Sequence, residues 1–113
     1  MITIYGIKNC DTMKKAMRWL DDHGVEYRFH DYRKDGLDSK TLKAWEKELG
    51  WEVLLNRRGM LWRKLPESIR NAINRKSALQ CMEDNPGIIK RPVLDLGQRR
   101  VVGFKPDDYQ QLF

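Results

Sequence analysis

The chain has 113 residues, 41% of them hydrophobic, which is enough for one packed core, and its two cysteines are too few for a disulfide framework. Its formal net charge of +6 favours anionic partners, although sixteen acidic residues lie among the twenty-two basic ones and such an excess can also serve solubility alone. No apolar run approaches the roughly 20 residues of a membrane span, and the N-terminus lacks a signal-peptide pattern, so we expect a cytoplasmic protein without a membrane partner.

The first third of the chain alternates between strand and helix patterns. Residues 1–5 are β-branched and aromatic, which predicts a strand. After Cys10 the apolar residues recur at helical spacing until Gly24, which predicts a helix with one buried face. That face consists of Met13, Ala16, Met17 and Leu20. Residues 25–32 alternate as a second strand does, so a right-handed βαβ unit with two parallel strands is expected, followed by a turn at residues 34–36.

The middle of the chain is predicted to be helical. Asp38 can cap a helix that ends at Gly50, and residues 51–55 resemble a further short helix. Pro66 suits the first turn of another helix, and Ser77, with Gln80 three residues later, forms a capping-box pattern for the last one. The apolar residues expected on the Pro66 helix are Ile69, Ala72 and Ile73.

The C-terminal third returns to strand character. Residues 93–96 and 99–102 are joined by two residues, Gly97 and Gln98, as in a β-hairpin. Pro106 then begins a short helix with acidic residues at its positive end. The predicted fold class is therefore α/β, a mixed four-stranded sheet with helices on both faces and the element order βαβ-ααα-ββα.

Cys10 is the principal candidate for chemistry because it lies between the first strand and the first helix. The unpaired N–H groups and positive end of a helix favour a thiolate and lower the pKa of a thiol. The Thr12 hydroxyl could donate to the sulfur, and Lys8 and Lys14 add positive potential, whereas Asp11 opposes them. The alternative is a small buried core residue, but an exposed strand-to-helix turn favours the functional interpretation.

Other residues carry weaker signals. Cys81 is predicted to fill space within a helix, although a role as resolving thiol stays open until distances are known. The bond between Arg91 and Pro92 could be cis, which would leave the backbone before the proline free to bind an extended ligand. Arg57 and Arg58 lie in a polar loop where they could clamp a carboxylate or serve only as a solvated pair. The histidines show no metal-ligand spacing, so no metal site is expected.

Four short motifs occur in the order found in one known family. They are residues 5–12, 54–59, 88–92 and 102–104. Together they span nearly the whole chain. In their order and sequence they resemble the arsenate-reductase-like (ArsC) family and, within it, the small bacterial YffB branch. The resemblance implies one thioredoxin-like domain over residues 1–113 with a helical insertion at about 37–87. It also implies a cysteine that forms a mixed disulfide with glutathione.

The resemblance also assigns roles to individual residues. Cys10 matches the family's nucleophile, and Arg91 before Pro92, which it implies is cis, matches a substrate-binding arginine. The family's central arginine aligns on Asn56, with Arg57 and Arg58 directly after it, and its last arginine falls near Lys105. Two of the three oxyanion-binding arginines of arsenate reductases are therefore shifted or replaced, as is the group near the thiol, where Gly6 stands in place of histidine. Met13 lies where the related Spx regulators usually have the second cysteine of a redox switch.

The sequence thus predicts an oxidoreductase, a glutathione-dependent thiol reductase with the single catalytic residue Cys10. Its expected partners are glutathione, as co-substrate, and an oxidised small molecule or protein, and we expect a monomer that does not bind nucleic acid. The predicted substrate- and glutathione-binding residues are Lys8, Asn9, Thr12, Arg57, Arg58, Arg91 and Pro92. The alternative is a non-enzymatic, regulator-like interaction module of the Spx type, whose basic surface would surround Arg57, Arg58, Arg63 and Lys64.

Overall fold

The computed structural model describes residues 1–113, which form two units. Unit 1 comprises Met1–Asp35 with Arg91–Phe113, and unit 2 comprises Gly36–Lys90. The strands are β1 (Ile2–Gly6), β2 (Tyr27–Asp31), β3 (Val93–Asp95) and β4 (Arg100–Val102). The helices are α1 (Asp11–Asp22), α2 (Tyr32–Asp35), α3 (Ser39–Leu49), α4 (Trp51–Leu54), α5 (Met60–Arg63), α6 (Glu67–Asn71), α7 (Arg75–Asp84) and α8 (Pro106–Leu112), with a short 3-10 helix at Pro86–Ile88. None of the eight α-helices is apolar over a stretch long enough to cross a bilayer.

The four strands form one mixed sheet, as predicted, and their order in it is β2-β1-β3-β4. β1 and β2 are parallel, whereas β3 runs antiparallel to both β1 and β4. Both the predicted βαβ unit and the predicted hairpin are therefore confirmed. Because β1 and β3 are the central strands, the beginning and the end of the chain meet in the middle of the sheet.

Helix α1 covers one face of this sheet. Its residues Met13, Ala16 and Leu20 are completely buried, as the helical spacing predicted, and Gly24 follows with a φ of +68° that ends the helix turn. The other fully buried residues of this core are Ile4, Leu94 and Tyr109. Burial of these side chains fixes the first turn of α1 against the end of β1, which is where Cys10 lies.

The structure differs from the sequence prediction directly after β2. The predicted turn at residues 34–36 is instead the one-turn helix α2 followed by Gly36, which has a φ of +68°. The Asp31 carboxylate accepts the backbone N–H of Arg33 at 3.0 Å, and Tyr32 is buried. A side-chain cap and a buried aromatic residue thus form a helical turn that local composition did not reveal.

Unit 2 is helical and has its own core. Asp38 caps α3 by accepting the N–H of Lys40 at 3.3 Å, and Gly50 follows the helix with a φ of +89°, so both predicted boundaries are confirmed. Leu55 and Ile89 form a single antiparallel β-bridge. The buried apolar residues of this unit are Leu42, Trp45, Leu54, Leu55, Ala78, Met82, Ile88 and Ile89.

Three predictions for unit 2 are wrong or incomplete. Helix α5 was not expected, and α6 ends at Asn71, so that Ala72 and Ile73 lie outside it and Ile69 is exposed. The capping box uses Asn74 as its first residue, with Ser77 in the third helical position instead of as the cap. The Asn74 side chain accepts the N–H of Ser77 at 3.0 Å while the Ser77 hydroxyl accepts the N–H of Asn74 at 3.0 Å.

Candidate active site

Cys10 is the N-cap residue of α1. Its backbone is extended, with φ −130° and ψ 127°, and its carbonyl accepts the N–H of Lys14 at 3.0 Å as the first bond of the helix. The thiol is half-buried. An N-cap side chain is positioned to meet the N–H groups of the second and third helical residues, which here are Thr12 and Met13. The predicted position at a helix N-terminus is therefore confirmed.

The pKa of the Cys10 thiol results from opposing effects. Burial is the largest single effect and raises the pKa, because a thiolate is poorly solvated there. The backbone N–H of Met13, the Arg91 guanidinium and the backbone N–H of Thr12 together outweigh burial, so that the pKa is lower than that of an ordinary cysteine.

Arg91 is the only side chain that the structure shows lowering this pKa. It acts both as a hydrogen-bond donor to the sulfur and as a positive charge. The Arg91–Pro92 peptide bond is cis, which confirms the prediction. Pro92 is buried, and its carbonyl accepts the N–H of Gly103 at 2.8 Å. The start of β3 is thereby held in place beside the residue after β4, and Arg91 extends from this junction to Cys10.

The remaining predicted residues near the thiol contribute less than expected or in a different way. Thr12 stabilises the thiolate through its backbone N–H, whereas the sequence suggested its hydroxyl. Lys8 and Asn9 lie exposed in the loop before Cys10, and Lys14 is exposed on α1. Neither lysine is among the groups that lower the thiol pKa.

Gly6 and Met13 pack against each other beside the thiol. Met13 is completely buried, and a Cβ atom at Gly6 would overlap its sulfur and lie 2.7 Å from its terminal methyl carbon. Gly6 and Met13, the two positions at which the resemblance shows departures near the thiol, therefore share one apolar contact. The sequence did not reveal this contact.

An aromatic cluster that the sequence analysis missed lies at the same edge of the sheet. The Tyr5 ring is 4.6 Å from the ring of His30 and 6.3 Å from that of Tyr32, measured between centroids. The Tyr32 hydroxyl is buried without a hydrogen-bond partner, and burial raises the pKa of this phenol, with a further increase from Tyr5 and an opposing decrease from Arg91. Of this cluster, Tyr32 is therefore the residue on which the charge of Arg91 acts.

Arg57 and Arg58 belong to unit 2, in the loop between α4 and α5. The Arg57 guanidinium carbon lies 5.6 Å from the ring centroids of both Trp51 and Trp62, which indicates two cation–π contacts. The N–H of Arg58 donates to the Asn56 side-chain oxygen at 3.1 Å. The loop is thus ordered by its own side chains, and the Trp–Arg–Trp arrangement was not evident from the spacing.

Cys81 differs from Cys10 in its electrostatic environment. It lies in α7 of unit 2, half-buried, and burial together with the Asp84 carboxylate raises the pKa of its thiol. Both cysteines are free. No three His, Cys, Asp or Glu side chains come together as metal ligands would.

Comparison with known proteins places this chain in a family. The ArsC family profile matches residues 5–112. A solved structure of a protein named YFFB is 50% identical, with a TM-score of 0.93 over 98% of this chain and 97% of that one. An arsenate reductase (ArsC) related protein from Brucella melitensis is 54% identical, with a TM-score of 0.83 over 97% of this chain and 92% of that one. An uncharacterized protein from Haemophilus influenzae is 47% identical over 100% of this chain and 99% of its own length.

The regulators considered as an alternative are more distant. The global transcriptional regulator Spx of Enterococcus faecalis is 26% identical over 98% of this chain and 85% of its own length. The higher identities to the YFFB and Brucella proteins do not favour the regulator alternative. The chain belongs to the ArsC family, and its mixed four-stranded sheet and helices are the thioredoxin-like fold of its arsenate-reductase-like structural neighbours.

Proposed function

We propose that this protein is a glutathione-dependent thiol–disulfide reductase in which Cys10 is the single catalytic nucleophile. The observation that carries the proposal is the half-buried Cys10 thiol, whose pKa is lowered by two N–H groups of α1 and by Arg91. A thiolate is the reactive form of cysteine, and a lowered pKa increases its fraction near neutral pH. The ArsC family membership supports redox chemistry at this residue.

The proposed reaction is two successive thiol–disulfide exchanges. The Cys10 thiolate attacks the glutathione sulfur of a mixed disulfide, so that a Cys10–glutathione bond forms while the substrate sulfur leaves as a thiolate and takes up a proton. The thiolate of a second glutathione then attacks the glutathione sulfur bound to Cys10. This step releases the Cys10 thiolate and oxidised glutathione, so the two electrons that reduce the substrate come from glutathione.

The surrounding residues suit both exchanges. The N–H groups of Thr12 and Met13 and the guanidinium of Arg91 stabilise Cys10 as the thiolate that attacks first and leaves last. Pro92 holds Arg91 at the start of β3. The exposed Lys8 supplies positive charge that attracts a carboxylate of glutathione, and the exposed Asn9 lies next to the nucleophile in sequence. Arg57 and Arg58, which were also predicted to bind glutathione, belong to unit 2.

Glutathione is favoured over an internal resolving cysteine for a structural reason. Met13 stands where the resemblance to Spx regulators implies a second cysteine, and it is completely buried. The other cysteine, Cys81, has a raised pKa and is a poorer attacking thiol at neutral pH. An arsenic oxyanion is a less favoured substrate, because the resemblance implies a histidine at the position of Gly6 and an arginine at that of Asn56 in arsenate reductases. We further propose that the protein acts as a monomer in the cytoplasm, where glutathione keeps thiols reduced.

Mass spectrometry after incubation with oxidised glutathione tests this function. We expect one glutathione adduct on the fragment that contains Cys10, in the wild type and in Cys81→Ser, and none in Cys10→Ser. The wild type and Cys81→Ser should also catalyse glutathione-dependent reduction of the mixed disulfide of glutathione and mercaptoethanol. An adduct confined to Cys81, or turnover that persists in Cys10→Ser, would refute the proposal.

A further inference from the structure

The excess of positive over negative charge in this protein is concentrated in one part of unit 2. Residues 57–76, here called the basic segment, contain seven Lys or Arg and a single acidic residue, Glu67. The rest of the chain contains fifteen basic and fifteen acidic residues. The whole formal charge of +6 therefore comes from these residues. Only Arg75 among them forms an ion pair that the structure shows, with Glu46.

Large apolar side chains are exposed within the same segment. Met60 is 68% exposed, Ile69 39% and Leu61 36%. They alternate with the charges, since Met60 and Leu61 precede Arg63 and Lys64 by only a few residues and Ile69 directly precedes a further arginine. Single exposed apolar residues are ordinary, but several within one short, strongly basic segment are typical of an interaction surface, and a charged segment that served only solubility would not need them.

The segment is also held in a defined conformation. Arg57 lies between Trp51 and Trp62, and the Leu61 methyl carbon would be 3.0 Å from a Cβ atom at Gly87, which shows that α5 packs against the 3-10 helix. The Arg70 side chain donates to the Leu65 carbonyl at 3.0 Å. Because these contacts order the surface before any partner arrives, binding would lose less conformational entropy.

We infer that the basic segment is a docking surface for a protein partner whose contact region alternates acidic with large apolar side chains. Charge complementarity requires carboxylates opposite Arg63 and Lys64, and the exposed Met60 and Ile69 require apolar contacts. This surface is a function beyond the thiol chemistry and does not depend on Cys10.

The same observations disfavour the other polyanions. Single-stranded nucleic acid binds by stacking bases on aromatic rings, but the Trp51 and Trp62 rings already face Arg57, and Met60 and Ile69 offer no ring. A membrane surface binds helices with a long continuous apolar face. Here Met60 and Ile69 lie on two separate helices of four and five residues.

Fluorescence anisotropy with full-length protein and a labelled peptide of alternating glutamate and leucine tests this inference. Arg63→Gln/Lys64→Gln and Met60→Ser/Ile69→Ser should each weaken peptide binding about tenfold. Lys43→Gln/Lys47→Gln removes the same charge from exposed positions of α3 in the same unit and should change the affinity less than about twofold. Cys10→Ser should bind with wild-type affinity, so a failure of the thiol chemistry would not affect this result.

Three comparison ligands identify the outcomes that would overturn the inference. They are a glutamate–serine peptide of equal charge, an oligothymidylate and vesicles that contain phosphatidylglycerol. Equal affinity for the serine peptide would show that the apolar contacts contribute nothing and that the segment attracts any negative charge. Equal or tighter binding of the oligonucleotide or the vesicles would show that the partner is a nucleic acid or a membrane instead of a protein. Circular dichroism checks that each variant is folded. If a double variant does not fold, the single substitution Arg63→Gln is tested with the same ligands, since Arg63 is exposed and its replacement does not disturb the core. Unchanged peptide affinity in this variant would overturn the inference.

Discussion

At the scale of single residues, the reactivity of Cys10 depends on a small number of donors. Burial alone would keep the thiol protonated, and its effect is larger than that of any one donor. Two of the donors are the backbone N–H groups of Thr12 and Met13, which are present whenever the helix that Cys10 begins is formed. Arg91 comes from the distant end of the chain and is the one donor that a substitution can remove without altering the backbone.

The first prediction concerns the pH dependence of Cys10 alkylation, measured in Cys81→Ser so that one thiol reacts. Because only the thiolate reacts, the rate should rise with pH and level off above the pKa of Cys10, with a midpoint below the value of about 8.5 for an ordinary cysteine. Arg91→Gln removes a donor and a positive charge, so it should raise the pKa and move the midpoint to higher pH.

Arg99→Gln is the matched control, since it removes the same charge from an exposed residue of the β3–β4 hairpin. We expect its alkylation profile to match that of the parent protein. Equal displacement of the midpoint by both substitutions would show that net charge, and not the contact with the sulfur, lowers the pKa.

The second prediction concerns the contact of Gly6 with Met13. Gly6→Ala introduces a Cβ atom into space that the buried Met13 side chain occupies, so it should lower the free energy of unfolding by about 1–3 kcal/mol. Met13→Ala should lower it by about 2–5 kcal/mol through the cavity it leaves. The double variant should be more stable than the sum of the two effects predicts, because the new methyl group enters that cavity. Urea unfolding of all four proteins measures this coupling, and strict additivity would disprove it.

At the scale of secondary-structure elements, unit 2 is built from short helices whose ends matter for their stability. Three of its helices, α4, α5 and α6, have only four or five residues. Isolated helices of this length do not persist in water, so capping and tertiary packing must hold them. The ten-residue α7 is the clearest case, since Asn74 and Ser77 satisfy each other's backbone N–H groups at its beginning.

The third prediction follows from this capping box. Asn74→Ala leaves the N–H of Ser77 without its acceptor and should lower the free energy of unfolding by about 1 kcal/mol. Asn71→Ala, at an exposed position of the preceding helix, is the control and should change it by less than about 0.5 kcal/mol. Chemical denaturation compares the two, and an equally small effect of both would mean that packing alone determines where α7 begins.

At the scale of the whole molecule, unit 1 is assembled from the two ends of the chain. Helix α8 brings the fully buried Tyr109 into the core that β1 and α1 begin. The Tyr109 ring meets Phe104 and Trp19 edge to face, with centroid distances of 4.7 and 5.5 Å. The Tyr109 hydroxyl is buried without a hydrogen-bond partner. The ring therefore stabilises the core, whereas the hydroxyl opposes that stabilisation.

The fourth prediction separates the ring from the hydroxyl. Tyr109→Phe should leave the thermal unfolding midpoint unchanged or raise stability by about 1 kcal/mol, because it removes an unsatisfied polar group. Tyr109→Ala should cost about 3–5 kcal/mol. Tyr27→Phe is the comparison, since the Tyr27 hydroxyl is hydrogen-bonded to Asp21 and its loss should lower stability by about 0.5–1.5 kcal/mol. A clear destabilisation by Tyr109→Phe would show that the hydroxyl does have a partner.

Local sequence patterns were sufficient for the elements that depend on neighbouring residues. The strand before Cys10, the apolar face of α1, the Asp38 cap and the β3–β4 hairpin were all predicted, because periodicity, capping and turn chemistry act over a few residues. The same local signals placed Cys10 at a helix N-terminus. The family resemblance, and not these patterns, predicted the cis bond before Pro92.

Only the tertiary structure decided which distant groups act on the thiol and which apolar residues are buried. Arg91 reaches Cys10 because β3 pairs beside β1, and a strand order is not encoded in either strand alone. The contact between Met13 and Gly6 and the exposure of Ile69 likewise depend on what each residue packs against. Sequence periodicity reports the side of an element on which a residue lies. The partner that covers that side is determined by the rest of the chain. For this reason local patterns predicted the nucleophile and the helix N–H groups that act on it, but not the contribution of Arg91.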